Sequence, residues 1–272
     1  MVSQLGKCEA FAALHRESGA WIIPNPWDVG SAKLLAGLGF RALATTSGGY
    51  AFTQGKRDGE VSLEDTLQYC AALCAATDVP ISADFEDGYA EDLSTMATNI
   101  KRLAETGVAG FSIEDFNRER REIYPIAEAV ERILIAAATI AETGLPLVLT
   151  ARAEGLLRGN DDLAEIVQRL QAYSEAGAEV LFAPAINALP DLRTVTRQLN
   201  KPFNVLASFL KDASVKELAE AGAKRISVGG ALTYASMHPI MAASREMLER
   251  GTFNWLSTAA SGVEVRALMG IK

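Results

Sequence analysis

The sequence predicts an α/β fold of the (β/α)₈ barrel type. The first observation behind this is a repeated punctuation, in which a helical stretch ends in Gly and an apolar run follows: AGLGFRALATT, AETGVAGFSIE, AETGLPLVLTA, SEAGAEVLFAP and AEAGAKRISVG. Gly just past a helix supplies the left-handed residue that closes it, and the apolar run after it reads as a buried parallel strand. The second is the count. Runs at 21–24, 80–84 and 202–205, each also preceded by a helical segment, bring the strands to about eight in roughly 250 residues, the size of such a barrel. An open doubly wound sheet shows the same alternation, so periodicity leaves closure of the sheet open. The third is an absence of linkers, charge blocks or composition breaks, which predicts a single domain over 1–250,.

Taken in order, residues 1–17 mix Lys7, Glu9, His15 and Arg16 with apolar residues and lack the uninterrupted apolar core of a signal peptide,. In barrels of this type the chemistry sits where strands end, so the residues at those ends matter most. The first strand is followed by Asn25, Trp27 and Asp28. The second runs into Thr45, Thr46, Ser47, Gly48, Gly49 and Tyr50, with Arg57 and Asp58 further along its loop. The third ends in Asp84, Glu86 and Asp87, the fourth in Glu114 and Asp115, and the fifth in Arg152 and Glu154. The last three offer Asn187, Ser208, Gly229 and Gly230. The segment 251–272 still carries Phe253, Trp255, Leu256, Val263, Val265, Leu268 and Met269. It is expected to be a helical extension that packs on its own barrel or on a partner subunit.

The chain of 272 residues is 49% hydrophobic and 22% charged, as soluble globular proteins are,. Its 26 Lys and Arg against 34 Asp and Glu give a net charge of −8, which disfavours nucleic acid and anionic membrane surfaces as partners,. The apolar stretch at 133–141 is far short of the roughly 20 residues that span a bilayer, and a cytoplasmic location is expected,. Cys8, Cys70 and Cys74 form neither a disulfide framework nor a zinc motif and read as buried packing,.

Asp84 and Glu86 are two apart, so an extended chain leans both the same way, toward Glu114 of the neighbouring strand,. Carboxylates gathered without His or Cys suit a hard cation, Mg²⁺ or Mn²⁺, holding some ligands through water. Helix capping is the competing use of the same residues. Ser47, Gly48 and Gly49 can offer backbone N–H groups and a hydroxyl to an anion. Arg152, just beyond an apolar run, is a costly charge unless it faces a carboxylate, either of a substrate or of Glu154 or Glu114. The two histidines, His15 and His238, and the lysines lie away from the strand ends, which argues against a serine triad or a Schiff base,.

The succession PNPWDVGSA, TSGG, KRD, SADFEDGY, SIED and ARAE resembles the isocitrate lyase / phosphoenolpyruvate mutase superfamily across 21–250. The resemblance implies a barrel whose eighth helix is exchanged between subunits, a homotetramer of such dimers, and a Mg²⁺-bound 2-oxo or 2-hydroxy carboxylate as substrate. By position, Asp84 resembles the direct metal ligand, Glu86 a second ligand and Glu114 the glutamate orienting metal-bound water. Ser47 and Gly48 resemble the pair that binds the substrate carboxylate, Asp58 the loop aspartate near the reacting centre, and Arg152 the arginine that grips the substrate. Gly49 and Asn187 join the expected substrate site, and Tyr50 or Asp58 is expected to move a proton.

The loop after the fourth strand reads FNRERREIYP, whereas lyases of the superfamily carry a Cys-Gly-His motif there. A standard isocitrate lyase reaction is therefore not expected. Arg118, Arg120 and Arg121 either close over an anionic substrate or form a solvated charge run. The reading that remains is a Mg²⁺-dependent carbon–carbon lyase acting through an enolate, decarboxylating an oxaloacetate-type acid or cleaving a 2-hydroxy acid. Phosphonopyruvate-type C–P chemistry and a non-catalytic 2-oxo acid binder are the alternatives.

Overall fold

The computed structural model describes residues 2–271. Eight parallel strands form one sheet: β1 (Trp21–Ile23), β2 (Leu43–Ala44), β3 (Ile81–Asp84), β4 (Gly110–Glu114), β7 (Val148–Arg152), β8 (Val180–Phe182), β9 (Phe203–Leu206) and β10 (Arg225–Ser227). A two-stranded hairpin, β5 (Phe116–Asn117) and β6 (Glu122–Ile123), sits in the loop after β4. The sheet order is β1-β10-β9-β8-β7-β4-β3-β2, so strands consecutive in the barrel are neighbours and β1 and β2 form its two edges. The edges meet. Ala44 N–H donates to the Pro24 carbonyl at 3.1 Å, and Asn25 donates to the Thr45 carbonyl while its own oxygen accepts from Val228 and Gly229 N–H. This seam makes the sheet a near-closed barrel.

The helices are α1 (Gln4–Arg16), α2 (Val29–Gly37), α3 (Ser47–Thr53), α4 (Leu63–Ala76), α5 (Leu93–Glu105), α6 (Ile126–Thr143), α7 (Leu163–Glu175), α8 (Leu189–Thr196), α9 (Val215–Glu220), α10 (Ala231–Arg250) and α11 (Gly262–Leu268). The five glycines of the repeated punctuation all have positive φ, from 69° at Gly144 to 108° at Gly177. At Gly222 the requirement is double, because a Cβ there would also lie 2.3 Å from Thr196 Oγ1.

Period-two alternation divides the strands between two environments. Ile81, Phe111, Ile113, Leu149, Phe203, Val205 and Ile226 belong to the apolar layer between sheet and helices, where most of the hydrophobic stabilisation arises. Ser82, Ser112, Asn204, Arg225 and Ser227 face the barrel interior. Helix α1 closes the end where the strands begin: Phe11 and His15 stack edge-on with Trp21. All three cysteines are buried and free, and burial pushes the Cys8 thiol up to about 11.

Helix α10 buries only Thr233 and Ala243 and leaves Tyr234, Ile240, Met241 and Leu248 in solvent. It touches α3 and the 3₁₀ turn Asn254–Thr258, while α11 packs on α2. No helix among the described residues is long and apolar enough to cross a membrane.

A side chain at Gly110 has no room: its Cβ would lie 2.5 Å from the Val148 carbonyl and 2.9 Å from the Phe11 ring. Since backbone cannot yield there, Gly110→Ala is expected to destabilise the protein by about 2–3 kcal/mol. Thermal denaturation should show a midpoint roughly 5–10 °C lower.

Candidate active site

Strands β3, β4 and β7 are adjacent in the sheet, and their registers place Glu114 beside Arg152. The ends of these strands therefore deliver Asp84, Glu114 and Arg152 to one place. The guanidinium of Arg152 lies 3.5 Å from both Asp84 and Glu114, while its Nε donates to the fully buried Glu154. Burial works against this cation, yet Glu154, Glu114 and Asp84 together hold its pKa above the usual arginine value. Of the two partners expected for Arg152, Glu154 makes the tight contact, and the 3.5 Å separations from the others exceed good hydrogen bonds.

Asp84 and Arg152 border a cavity of about 260 Å³ whose wall also includes Ser47, Gly48, Asp58, Phe182 and Tyr234, while Glu114 and Glu154 lie outside that wall. Ser47 opens α3, and its N–H donates to Asp84 Oδ2 at 3.1 Å. The other oxygen, Asp84 Oδ1, is buried with no hydrogen-bond partner. Gly48 lies against Asp58: a Cβ at this position would be 3.4 Å from that carboxylate. Asp58 sits on an exposed loop, but its carboxyl faces the cavity. Partial burial and the like charge of Asp84 push its pKa up, opposed by Ser47 and Arg152. Glu114 is pushed well above the carboxylate range by burial first and by Glu154 second.

Glu86 departs from the two-residue alternation that suggested convergence with Asp84. The strand ends at Asp84, and Glu86 takes φ 44°, in the left-handed region. Its carboxylate accepts from Tyr89 Oη at 2.8 Å and faces Arg118 at 3.6 Å, outside the cavity wall. Burial raises it to about 7 despite those two partners. Gly49 is there for packing, since a Cβ would meet Thr46 Cγ2 at 2.5 Å and Thr233 Oγ1 at 2.7 Å. Tyr50 stacks on Tyr69 with ring centroids 4.1 Å apart and stays off the cavity wall. Asn187 is exposed and also lies outside it. The structure thus brings Ser47, Gly48, Asp58, Asp84 and Arg152 onto one wall, with Glu114 beside Arg152 just outside it, and leaves Gly49, Tyr50, Glu86 and Asn187 off that wall.

The donor set fits a hard divalent cation. It offers carboxylates alone, one with a buried oxygen that has no hydrogen-bond partner. No three His, Cys, Asp or Glu side chains among the described residues form a complete cage. Mg²⁺, which keeps several waters, needs only one or two direct carboxylates.

The arginines of the loop after β4 divide into two kinds. Arg120 points outward to Glu91, Glu122 and Glu128. Arg118 turns inward, donating to the carbonyls of Gly59 at 2.7 Å and Val61 at 2.9 Å, with its guanidinium 4.4 Å from the Tyr89 ring centroid. It ties the β5–β6 hairpin to the loop that carries Asp58. Sequence reasoning missed this role, because the partners are 59 and 57 residues away. Arg118→Met is expected to leave global stability within about 1–2 kcal/mol but to speed amide exchange over residues 55–61 by at least about tenfold. Hydrogen-exchange mass spectrometry measures both.

The chain is similar to several known proteins. The sequence model of phosphoenolpyruvate phosphomutase matches residues 11–248. An uncharacterized protein of Mycobacterium tuberculosis (strain ATCC 25618 / H37Rv) is 30% identical over 86% of this chain and 89% of its own. The oxaloacetate decarboxylase of Pseudomonas putida (strain GB-1) is 26% identical over 90% of this chain and 85% of its own. A crystal structure from Burkholderia cenocepacia J2315, described as a candidate lyase or mutase, superposes with a TM-score of 0.93 at 43% identity, covering 98% of this chain and 97% of that one.

Proposed function

Since the chain belongs to the phosphoenolpyruvate phosphomutase family, within the isocitrate lyase / phosphoenolpyruvate mutase superfamily of lyases and mutases, we propose that it is a Mg²⁺-dependent carbon–carbon lyase. Its substrate is a 2-oxo or 2-hydroxy carboxylate and its reaction of the oxaloacetate-decarboxylase kind. The observation that carries this is the buried Oδ1 of Asp84, which has no hydrogen-bond partner and stands 3.5 Å from Arg152 Nη1, while Oδ2 accepts from the first turn of α3. Asp84 would hold Mg²⁺ (or Mn²⁺) directly, with Glu114 and Glu86 acting through its waters. When bound, such an ion would supply Lewis-acid charge beside the oxygens of a 2-oxo carboxylate.

The chain's own groups do the rest. Arg152, fixed at Nε by Glu154 and with Nη1 facing Asp84 and Glu114, would offer Nη2 to the substrate carboxylate,. Ser47 and Gly48 bring the start of α3 to the other side of that carboxylate,. Asp58, with its raised pKa, is placed to exchange a proton with the carbon released by cleavage,. Decarboxylation needs only this electron sink, which agrees with a loop at 116–125 that has neither Cys nor His. The family model's own description supports C–P bond chemistry as a second reading.

The experiment is thermal denaturation of EDTA-treated protein with oxalate, with and without Mg²⁺, followed by assays for pyruvate from oxaloacetate and phosphate from phosphonopyruvate. Oxalate with Mg²⁺ at about 100 times its Kd is expected to stabilise by about 2.7 kcal/mol, and neither should act alone. Asp84→Asn and Arg152→Met should each abolish the shift. Equal stabilisation with and without metal would refute the reading.

The barrel over 1–250 and the extension over 251–272 are further proposed to assemble as a homotetramer with α10 exchanged between subunits, which accounts for the apolar residues α10 leaves exposed. Analytical ultracentrifugation is expected to give four times the 29.0 kDa chain mass, and Leu248→Asp should lower it.

A further inference from the structure

We infer that the floor of the barrel is a second, separate site, which binds a small monovalent anion at Arg225. This guanidinium starts β10, is 5% exposed and lines the bottom of the cavity. Its hydrogen bonds go only to neutral acceptors: Nε to Asn204 Oδ1 at 2.8 Å, Nη2 to Thr150 Oγ1 at 3.1 Å, and Nη1 to His15 Nε2 at 3.4 Å. His15 is neutral in this arrangement. Its Nδ1–H serves the Phe11 carbonyl at 2.9 Å, which leaves the Nε2 lone pair for Arg225, and burial followed by the Arg225 charge holds its pKa down to about 3.

A guanidinium has five N–H groups, so two remain after these three bonds. No carboxylate among the described residues forms an ion pair with Arg225, in contrast to Arg152 above it. A buried cation without a counter-charge costs several kcal/mol, and burial alone brings Arg225 down to about 9. A second donor is unmet at the same level: Trp21, paired with Arg225 in register on β1, has a buried indole N–H with no acceptor. Between this floor and Asp84 the wall is hydrophilic, with Ser82, Ser112, Asn204 and Ser227. An anion with access to the cavity therefore meets polar groups along the whole path.

The site takes a halide or a single carboxylate group. Thr150, which holds Arg225, and Arg152 are two residues apart on β7, so the two guanidinium groups stand at neighbouring inward positions of that strand,. Because Arg152 and Arg225 line the same cavity, the site also takes the far carboxylate of a short diacid whose other end lies at Arg152. The inference needs neither the metal nor the reaction proposed above.

The test uses the full chain without Mg²⁺, in bromide, formate or succinate, against a bulky sulfonate salt at equal ionic strength. A saturable rise in the melting midpoint of about 3 °C or more is expected in bromide and formate. Asn204→Asp, which places a fixed carboxylate at Nε of Arg225 with little change of shape, should abolish the rise. Crystals grown in bromide should show an anomalous peak beside Arg225. Stabilisation by succinate alone, again lost in the Asn204→Asp variant, would identify an organic ligand's remote carboxylate as the occupant. Equal midpoints in all four salts, with no bromide at Arg225, would overturn the inference.

Discussion

The arrangement of the upper rim depends on one cation among acids. Asp84, Glu114 and Glu154 come from adjacent parts of the rim and would repel one another in a site this enclosed, and Arg152 stands within 3.5 Å or less of all three. Its position is imposed from below by the β4–β7 register, which sets Glu114 opposite Arg152. Further charged and polar groups, outward from the cavity, hold the pair in place. Glu154 also binds Arg158, and its N–H donates to Asp115, which accepts in turn from Tyr173 and Arg169. The alternation of acid and base outward from the cavity lets buried charges persist where each would be costly alone. Moving one member leaves its neighbour uncompensated, so the rim behaves as a network rather than as separate pairs.

The same logic separates the rim from the hairpin beside it. Asn117 is fully buried, and its side-chain oxygen accepts from the N–H groups of Glu119 and Arg120. This fixes the start of a loop whose composition alone suggests a solvated charge run. Within it, Arg118 goes inward and Arg120 outward. The inward one donates from Nη2 to backbone carbonyls of the Asp58 loop, with Nη1 facing Glu86, and so joins two segments that approach the cavity from different strands.

What could be read from the sequence follows from how local each feature is. Five of the eight strands were legible because each helix-closing Gly and the apolar run after it act within about ten residues, and the other three as apolar runs after helical segments,. Asp84, Glu114 and Arg152 were legible because a strand end fixes its own last side chain. Glu86 shows where that reasoning stops: once the strand ended, a left-handed residue cancelled the alternation that would have aimed it at Asp84. Gly49 had the look of an anion-binding turn, but its lack of a side chain answers to Thr46 and to Thr233, which lies far along the chain. Tyr50 was drawn away by Tyr69, a contact no local pattern encodes.

Arg225 carried a signal in the sequence, a charge at an inward position of an otherwise buried strand in AKRISVG. Its meaning depended on partners from α1, β7 and β9, more than 20 residues away at the nearest. The barrel accommodates such polarity because its apolar packing lies mainly on the other face of the sheet. Leu149, Val205 and Ile226 pack outward against the helices, while Thr150, Asn204 and Arg225 turn in. Stability and chemistry are thus assigned to alternate residues of the same strands. The interior can then hold an acidic rim and a basic floor within one cavity, a separation of charge that orients any dipolar or doubly charged guest along the barrel axis.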